Sequence, residues 1–428
     1  MLITDTMVIH GGGYVGLTAA VHYASNKDAW GRIVIYDPDP AVVAGIMSGF
    51  PRSGEFLGYL DSQIRDLVFE GRIQATTNFE LVRRLHYHTI AVPTERANQP
   101  YGKIVVGVLR ELFKTIPRLG VILVESTLAP GMIDGVLKER PNYCYLAVCP
   151  RRDWFADSEK NVSNLERIIG GVNWESSAMA FEIISTVTRR DLIHKTDRET
   201  AEICKALENA LLHIPVMFAH QLACVLPQKN VREALRLAGT HWRLPQYHIG
   251  FGTGGRCVPI GTKYLLQATK GLLPIANAAI IQEATQREYV CREIRRHLNG
   301  LKGTKRVVVL GAGYRPNFKD IGGSPGVDIA RMLFDEDWDV ILHDPLWDPI
   351  ELEKATGVPS GSVVMFDHRE VVLLATEHDA YKVIPNRWKW NKRQLILDAH
   401  GAWSTYRSVF KVEGADYRIV GEPGWRKP

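Results

Sequence analysis

The sequence predicts an α/β protein made of two α/β domains joined by a long central helix. Residues 1 to about 190 alternate short β-branched runs with helical patterns, the mark of a parallel sheet covered by helices. From Glu199 the run ETAEICKALENALLHIPVMFAHQLACVL keeps helical periodicity with no Gly or Pro before Pro215. After about Leu298 strand signals return in KRVVVLGAG, WDVILHD, VVLLAT and QLILDA.

In order along the chain, the clearest early strands are MVIH, RIVIYD, HTIAVP, VILVES and CYLAVCP. The central run reads as a long, mostly buried helix, kinked at Pro215 because proline removes one backbone donor and crowds the preceding turn. Helical character continues to Leu298, interrupted by a Gly-rich segment at 249–261. The expected boundaries are 1–196, 197–298 and 299–428. At 428 residues more than one core is required.

Composition narrows the function. The 46% hydrophobic and 23% charged residues are those of a globular protein. A net charge of +5 is too small to argue for nucleic acid; it suits an anionic small-molecule substrate, or only solubility. The six cysteines, Cys144, Cys149, Cys204, Cys224, Cys257 and Cys291, form no CxxC pair and no disulfide spacing, as in a reducing compartment. The N-terminal residues lack the pattern of a secretory signal, and no apolar run is long enough to span a bilayer. A cytoplasmic protein with no membrane or nucleic-acid partner and no metal site is expected.

The strand MVIH leads into Gly11-Gly12-Gly13-Tyr14-Val15-Gly16 and then the helical LTAAVHYA. Glycines there permit a tight turn and close backbone approach to a pyrophosphate, whose charge sits at the helix N-terminus. Asp37 ends the strand RIVIYD at the distance where a carboxylate accepts from a ribose diol and repels a 2′-phosphate. The expected cofactor is NAD. The alternative is a Gly-rich turn of structural purpose alone. A second strand–glycine–helix element, VVVLGAGY at 307–314, lacks the full fingerprint; it suggests a second Rossmann-like domain that holds a nucleotide-bearing substrate.

Taken in order, the motifs resemble those of the nucleotide-sugar 6-dehydrogenases, the UDP-glucose, UDP-N-acetylmannosamine and GDP-mannose dehydrogenases. GGGYVGL (11–17) is similar to the family's GxGYVGL, AVPT (91–94) to its VPT and ESTLAPG (125–131) to its STVPPGT. ICKALENA (203–210) resembles the helix carrying a catalytic Lys and Asn, and GFGTGGRCVP (250–259) the loop carrying a nucleophilic Cys. GYRPNFKDIGGSP (313–325), HDP (343–345) and TEH (376–378) match the C-terminal domain.

The resemblance implies NAD-dependent oxidation of a sugar CH2OH to the carboxylate, a uronic acid for polysaccharide biosynthesis, by two hydride transfers. Gly11, Gly13, Tyr14, Val15, Gly16, Asp37, Pro93, Thr94 and Thr127 would hold the cofactor. Cys257 would capture the aldehyde, Lys205 and Asn209 would donate to the developing oxyanion, and Thr127 would hold the reactive water. Lys205, Asn209, Phe251, Gly252, Gly254, Arg151, Arg152, Tyr314 and Arg315 would contact the nucleotide sugar. A homodimer built on the central helix is also implied. For a lone cysteine or a helical lysine, a buried small hydrophobe and a solvated charge are the ordinary alternatives.

The sequence departs from the family at the carboxylates. Cys-x-Pro-Lys-Asp is here Cys257-Val258-Pro259-Ile260-Gly261, the Glu after Cys149-Pro150 is Arg151, and the arginine of DxRESP is Gly322. Asp153 is either a substitute carboxylate or a surface residue, and Arg151 and Arg152 either pair with an acidic group on the substrate or with phosphate, or lie at the surface. CPRR…NLERIIGG is closer to the N-acetyl-sugar branch, which points to a UDP-linked amino sugar or an unusual hexose. Oxidation that stops at the aldehyde, and a non-catalytic nucleotide-sugar binding protein, remain as rivals.

Overall fold

The computed structural model describes residues 5–50, 60–154, 157–299, 306–362 and 369–426. The outer ends of the expected first and last segments, and residues 300–305 with the first residue of the strand beginning at Lys305, lie outside them. The chain forms two compact units, Met1–Glu208 with Lys263–Lys270, and Asn209–Thr262 with Gly271–Pro428.

The first unit is organised by an eight-stranded sheet of β1 (Thr6–His10), β2 (Arg32–Tyr36), β3 (Ile73–Thr76), β4 (Tyr87–Ile90), β5 (Val121–Val124), β6 (Tyr145–Val148), β7 (Arg167–Gly171) and β8 (Ile193–Asp197). Its order is β8-β7-β6-β5-β4-β1-β2-β3, parallel throughout except the β6–β7 pair. From β3 to β6 this is the order of a dinucleotide-binding sheet, whose topological switch falls between β1 and β4. Strands β1, β4 and β5 are buried over nearly their whole length and covered on both faces, with His10, His88 and Thr89 buried among the apolar residues. Strands β3, β7 and β8 carry weaker signals (IQAT, RIIGG, IHKTD) and the sequence did not single them out.

The second unit holds a five-stranded parallel sheet, β9 (Arg306–Leu310), β10 (Asp339–His343), β11 (Val371–Leu374), β12 (Leu395–Asp398) and β13 (Asp416–Ile419), in the order β10-β9-β11-β12-β13. Here the switch lies between β9 and β11. The expected fold, two Rossmann-like domains with a long central helix, is therefore what the chain adopts.

Five helices matter for the site: α1 (Tyr14–Ser25), α2 (Arg198–Val225), α3 (Cys257–Ala268), α4 (Pro274–Asn299) and α5 (Pro325–Phe334). Helix α2 runs unbroken for 28 residues with Pro215 inside it. Its expected burial needs correction. Ile203, Leu207, Leu211, Leu212 and Phe218 are 42–62% exposed, while the opposite face, with Ala206, Ala210, His213 and Met217, is buried. The apolar periodicity was read correctly, but two of its stripes exist and only one is covered within the chain. The Gly-rich interruption is also shorter than expected, since the loop ends at Cys257 and residues 257–261 already form the first turn of α3. Pro259 is tolerated there because first-turn residues have no intrahelical acceptor for their N–H groups. Among the described residues no helix is long and apolar enough to cross a membrane.

Candidate active site

The turn after β1 is shaped by close approach. Gly11 has φ +103°, and a Cβ there would lie 2.5 Å from the Ala91 carbonyl oxygen at the end of β4. Gly16 packs directly over Gly11, so that any side chain would overlap the Gly11 carbonyl. Helix α1 starts at Tyr14 with Gly13 as an N-cap that supplies no side-chain acceptor. Gly13 and Val15 are exposed and Tyr14 half-buried, at a helix start where first-turn N–H groups have no intrahelical acceptor and favour an anion. At the tip of β2, Asp37 is half-buried; its Oδ2 accepts from Gly12 N at 2.8 Å and its Oδ1 from Asp39 N at 2.9 Å. A glycine cradle, an uncapped helix start and a carboxylate beyond β2 fit the diphosphate and ribose diol of NAD. Asp37→Ala should weaken NAD binding about 10–100-fold, the worth of a charged hydrogen-bond acceptor, as titration calorimetry would measure. An unchanged affinity would remove Asp37 from the cofactor site.

The ends of β4 and β5 supply the next layer. Glu125 N and Ser126 N both donate to Ile90 O, and Ser126 Oγ donates to Val92 O at 2.7 Å. Thr94, buried, donates from Oγ1 to Thr127 O at 2.5 Å and lies 2.8 Å from the Tyr264 hydroxyl. Thr127 itself is half-buried and Pro93 exposed. The structure thus brings Pro93, Thr94 and Thr127 together at the C-terminal edge of the sheet. Gly131 N donates to Glu202 Oε2 on α2 at 2.9 Å, tying ESTLAPG to the central helix.

Arg151 is not a surface residue. Its guanidinium is buried, with Nη1 donating to Glu125 Oε2 (3.0 Å), Nε and Nη2 to both oxygens of Asp153 (2.6 Å each), and Nη2 also to Thr18. Arg167 completes the cluster at Glu125 Oε1, 3.0 Å away. Burial works against the charge of Asp153, but Arg151 overcomes it and holds the carboxyl down to about 2. Burial, with help from Arg151, lowers His22 to about 4, so the imidazole beneath this cluster is neutral. A carboxylate with both oxygens occupied and so low a pKa is a weak base, and Asp153 does not suit the activation of water. Arg152 is instead bound to Glu208, 2.7 Å from Nε to Oε1.

Lys205, half-buried on α2, lies 3.3 Å from Glu208 Oε2. Asn209, one turn after Lys205, is buried, and its side chain occupies the space over Gly261: a Cβ at 261 would overlap Asn209 Cβ and come 2.8 Å from Nδ2. The glycine that replaces the resemblance's aspartate is therefore a packing requirement. It seats Asn209 against the first turn of α3, the turn that begins with the exposed Cys257. The other cysteines are less accessible: Cys204 is half-buried and Cys144, Cys149, Cys224 and Cys291 are buried, with burial raising those four thiols to about 12.

The loop ahead of Cys257 is anchored from beneath. Thr253 donates to Glu283 from Oγ1 (2.7 Å) and from N, and Glu283 also meets Arg287 (2.8 Å) and His213 (3.4 Å). Burial opposes the Glu283 charge, yet these partners hold it at about 2. Gly252 crosses this carboxylate and Gly254 crosses Tyr314. Phe251 turns its ring into the core with Val290 and Ala312, while Arg315 is exposed with its guanidinium 5.9 Å from the Tyr314 ring centre. Glu208, Glu125, Arg167 and Glu283 were not found by sequence reasoning. Only Glu208 carried a local signal, its i,i+3 spacing from Lys205.

Sequence-family comparison matches this arrangement in three consecutive pieces of the UDP-glucose/GDP-mannose dehydrogenase family: the NAD binding domain over 5–188, the central domain over 199–286 and the UDP binding domain over 308–405. The chain belongs to this family. It is an NAD-dependent oxidoreductase of the nucleotide-sugar dehydrogenase type. A UDP-N-acetyl-D-mannosamine dehydrogenase of Methanococcus maripaludis is 29% identical over 357 residues, 78% of this chain and 80% of that one. The solved UDP-D-ManNAc dehydrogenase of Pyrococcus horikoshii shares the fold with a TM-score of 0.83 at 22% identity, over 98% of this chain and 100% of the other. A UDP-glucose dehydrogenase of Pyrobaculum islandicum gives 0.80 at 22%, over 97% and 98%.

Within the family's UDP binding domain the turn after β9 repeats the NAD-side geometry with one difference. Gly311 has φ +99° and crowds Thr376 after β11, as Gly11 crowds Ala91. But Asp344, the counterpart of Asp37 beyond the second strand, is fully buried. Its Oδ2 accepts from Ala312 N (2.9 Å) and Gly313 N (2.8 Å) and lies 3.1 Å from His378 Nε2. The carboxylate that is half-buried on the NAD side is sealed here, which brings HDP and TEH together as a structural lock.

Proposed function

We propose that this chain oxidises the C6 hydroxyl of a UDP-linked sugar to the uronic acid, holding the aldehyde on Cys257 between two oxidations. The observation that carries the reading is the seating of Asn209, through Gly261, on the first turn of the helix that starts at Cys257. NAD, when bound, supplies the hydride acceptor for each oxidation. Segments 1–196, 197–298 and 299–428 would serve as cofactor, central and nucleotide-sugar parts.

Lys205 and Asn209 donate to the substrate oxygen as it loses its proton and again when it becomes a tetrahedral oxyanion. The Cys257 thiolate adds to the aldehyde carbon, forming a C–S bond and a thiohemiacetal. Loss of the C–H electron pair as hydride leaves a thioester. Water held by Thr127 then adds to the thioester carbon and the C–S bond breaks; one water proton restores the Cys257 thiol, the other passes to solvent, and the carboxylate leaves. Arg152, tied to Glu208, orients the carboxylate that faces the Lys205 ammonium. The N-acetyl-branch pattern CPRR…NLERIIGG and the similarity to a UDP-N-acetyl-D-mannosamine dehydrogenase favour a UDP-linked N-acetyl sugar.

The bare apolar face of α2, with Leu211, Leu212 and Phe218 about 60% exposed, supports a homodimer, since a second copy of the same stripe would remove it from water. The free thiols fit a cytoplasmic enzyme.

The test is the number of NADH formed per sugar consumed, across UDP- and GDP-linked sugars. Two supports the proposal. One supports a second reading, oxidation that stops at the aldehyde, which is favoured by the engagement of Glu125 and Asp153 with Arg151. None for every sugar would leave a nucleotide-sugar binding protein.

A further inference from the structure

Two buried faces, one on α2 and one on α4, grip the chain on both sides of Cys257. His213 and His220 are two turns apart on α2, and Glu283 and Gln286 three residues apart on α4, so each pair shares a face. All four side chains are buried. Gly250 is held by both of its backbone polar groups: its N donates to His220 Nε2 at 3.1 Å and its O accepts from Gln286 Nε2 at 2.7 Å. Since His220 Nε2 accepts, Nδ1 carries the ring proton and donates to Val216 O at 2.8 Å. Burial lowers the pKa of His220, which keeps the ring neutral and this acceptor open.

Thr253 comes next. Its hydroxyl donates to Glu283 Oε2 at 2.7 Å and its N to Oε1 at 3.2 Å. A Cβ on Gly252 would lie 2.8 Å from Oε1, so a glycine is what lets the carboxylate come so near this backbone. His213 Nε2 faces the same carboxylate at 3.4 Å, and its Nδ1 lies 3.0 Å from Thr262 Oγ1 on α3. One carboxylate and one imidazole therefore reach residues four before Cys257 and five after it. Buried polar groups that satisfy one another in this way have a single good arrangement, because any slip leaves a desolvated donor or acceptor unpaired. Packing does little to aim an exposed side chain, so the direction of the Cys257 thiol follows from the backbone on its two flanks.

We propose that Glu283 and His213 are positioning residues: by holding Thr253 and Thr262 they aim Cys257 and decide whether the aldehyde is captured or lost. The inference rests on the reading of Cys257 as the nucleophile. The two oxidations make different demands on the thiol. Loss of a proton and a hydride from the C6 alcohol needs no thiol, whereas the second oxidation begins when sulfur reaches the aldehyde carbon. A misplacement of about 1 Å costs such an approach about 100-fold. Loosening either flank should therefore spare the first oxidation and let free aldehyde leave the site.

The test is the fate of the aldehyde when the full chain turns over NAD and UDP-N-acetyl-D-mannosamine, or whichever UDP-linked sugar the parent oxidises fastest. Semicarbazide is present as a trap, and both semicarbazone and NADH are counted per sugar consumed. The parent should give two NADH and little semicarbazone. Thr253→Val and Thr262→Val keep the side-chain shape and remove one hydroxyl each; either should release several times more aldehyde than the parent. The two together, and Glu283→Gln, should release about tenfold more, with NADH per sugar falling toward one and nucleotide-sugar KM held. Thr253→Ser keeps the hydroxyl and should behave as the parent. A smaller folded fraction slows both oxidations alike and leaves the ratio at two, so a merely structural role cannot produce this pattern. Parental aldehyde release and a ratio of two in the double Thr253→Val, Thr262→Val variant, folded by its melting curve, would overturn the proposal whatever its rate. A parent that forms one NADH or none overturns the reading of Cys257 itself, and with it this inference, before any variant is compared.

Discussion

Serine in place of Cys257 should cut overall turnover roughly a thousand-fold or more, because a hydroxyl at neutral pH is almost wholly protonated and adds poorly to an aldehyde. The structural cost should be small. Cys257 is exposed and stands at the first position of α3, where serine is a good helix starter. Melting temperature is therefore expected to hold while activity falls, which separates chemistry from folding. Nucleotide-sugar aldehyde supplied as its hydrate should be less affected, since its oxidation needs no covalent capture. The parent enzyme makes the complementary prediction. With Gly261 packed under Asn209, Arg151 in the place of a carboxylate and Asp153 occupied by Arg151, the thioester lacks a strong base to deliver water. Quenched intact-protein mass spectrometry should catch an adduct on Cys257 that the serine variant lacks. Near-parental turnover by Cys257→Ser, with no adduct in the parent, would sink the covalent mechanism.

The cofactor end was legible because its residues are consecutive and its geometry is local. Gly11, Gly16 and Asp37 are set by one turn and one strand, and the spacing from Gly16 to Asp37 is fixed by the length of α1 and β2. The placement of Lys205 and Asn209 was legible for the same reason, since the two share a helix face by simple periodicity. The charge cluster was not. Arg151 looked like a free cation in the sequence because Glu125, which it meets, and Arg167, which shares that carboxylate, lie at the ends of other strands of the sheet, and strand order is a long-range fact. Gly261 and Gly322 looked like losses of function for a related reason. A missing side chain is visible in a sequence, but the atoms that take its space, Asn209 and Arg256, are visible only in the fold. The burial of α2 was misjudged because periodicity shows that a face is apolar without saying whether the chain itself covers it.

Removing the Lys205 ammonium should lower kcat by about a hundred- to a thousand-fold with little change in nucleotide-sugar KM, the pattern of a donor that acts on charge appearing only during reaction. Lys205 is half-buried beside Glu208, so alanine there leaves the carboxylate still matched by Arg152 and should not unfold the helix. Alanine is also the better helix former, which offsets the lost i,i+3 pair. Arginine is the informative second substitution. It restores a positive charge but spreads it over a planar fork, and a compact donor aimed at a single oxygen is not reproduced by that shape. Lys205→Arg should therefore keep its melting temperature and recover only part of the lost kcat. Glu208→Gln tests the pairing from the other side: if Glu208 serves to aim the ammonium, kcat should fall while KM holds, as for Lys205→Ala but less severely. A rise in KM with kcat intact in Lys205→Ala would make Lys205 a binding residue and leave Asn209 as the oxyanion donor on this face of α2.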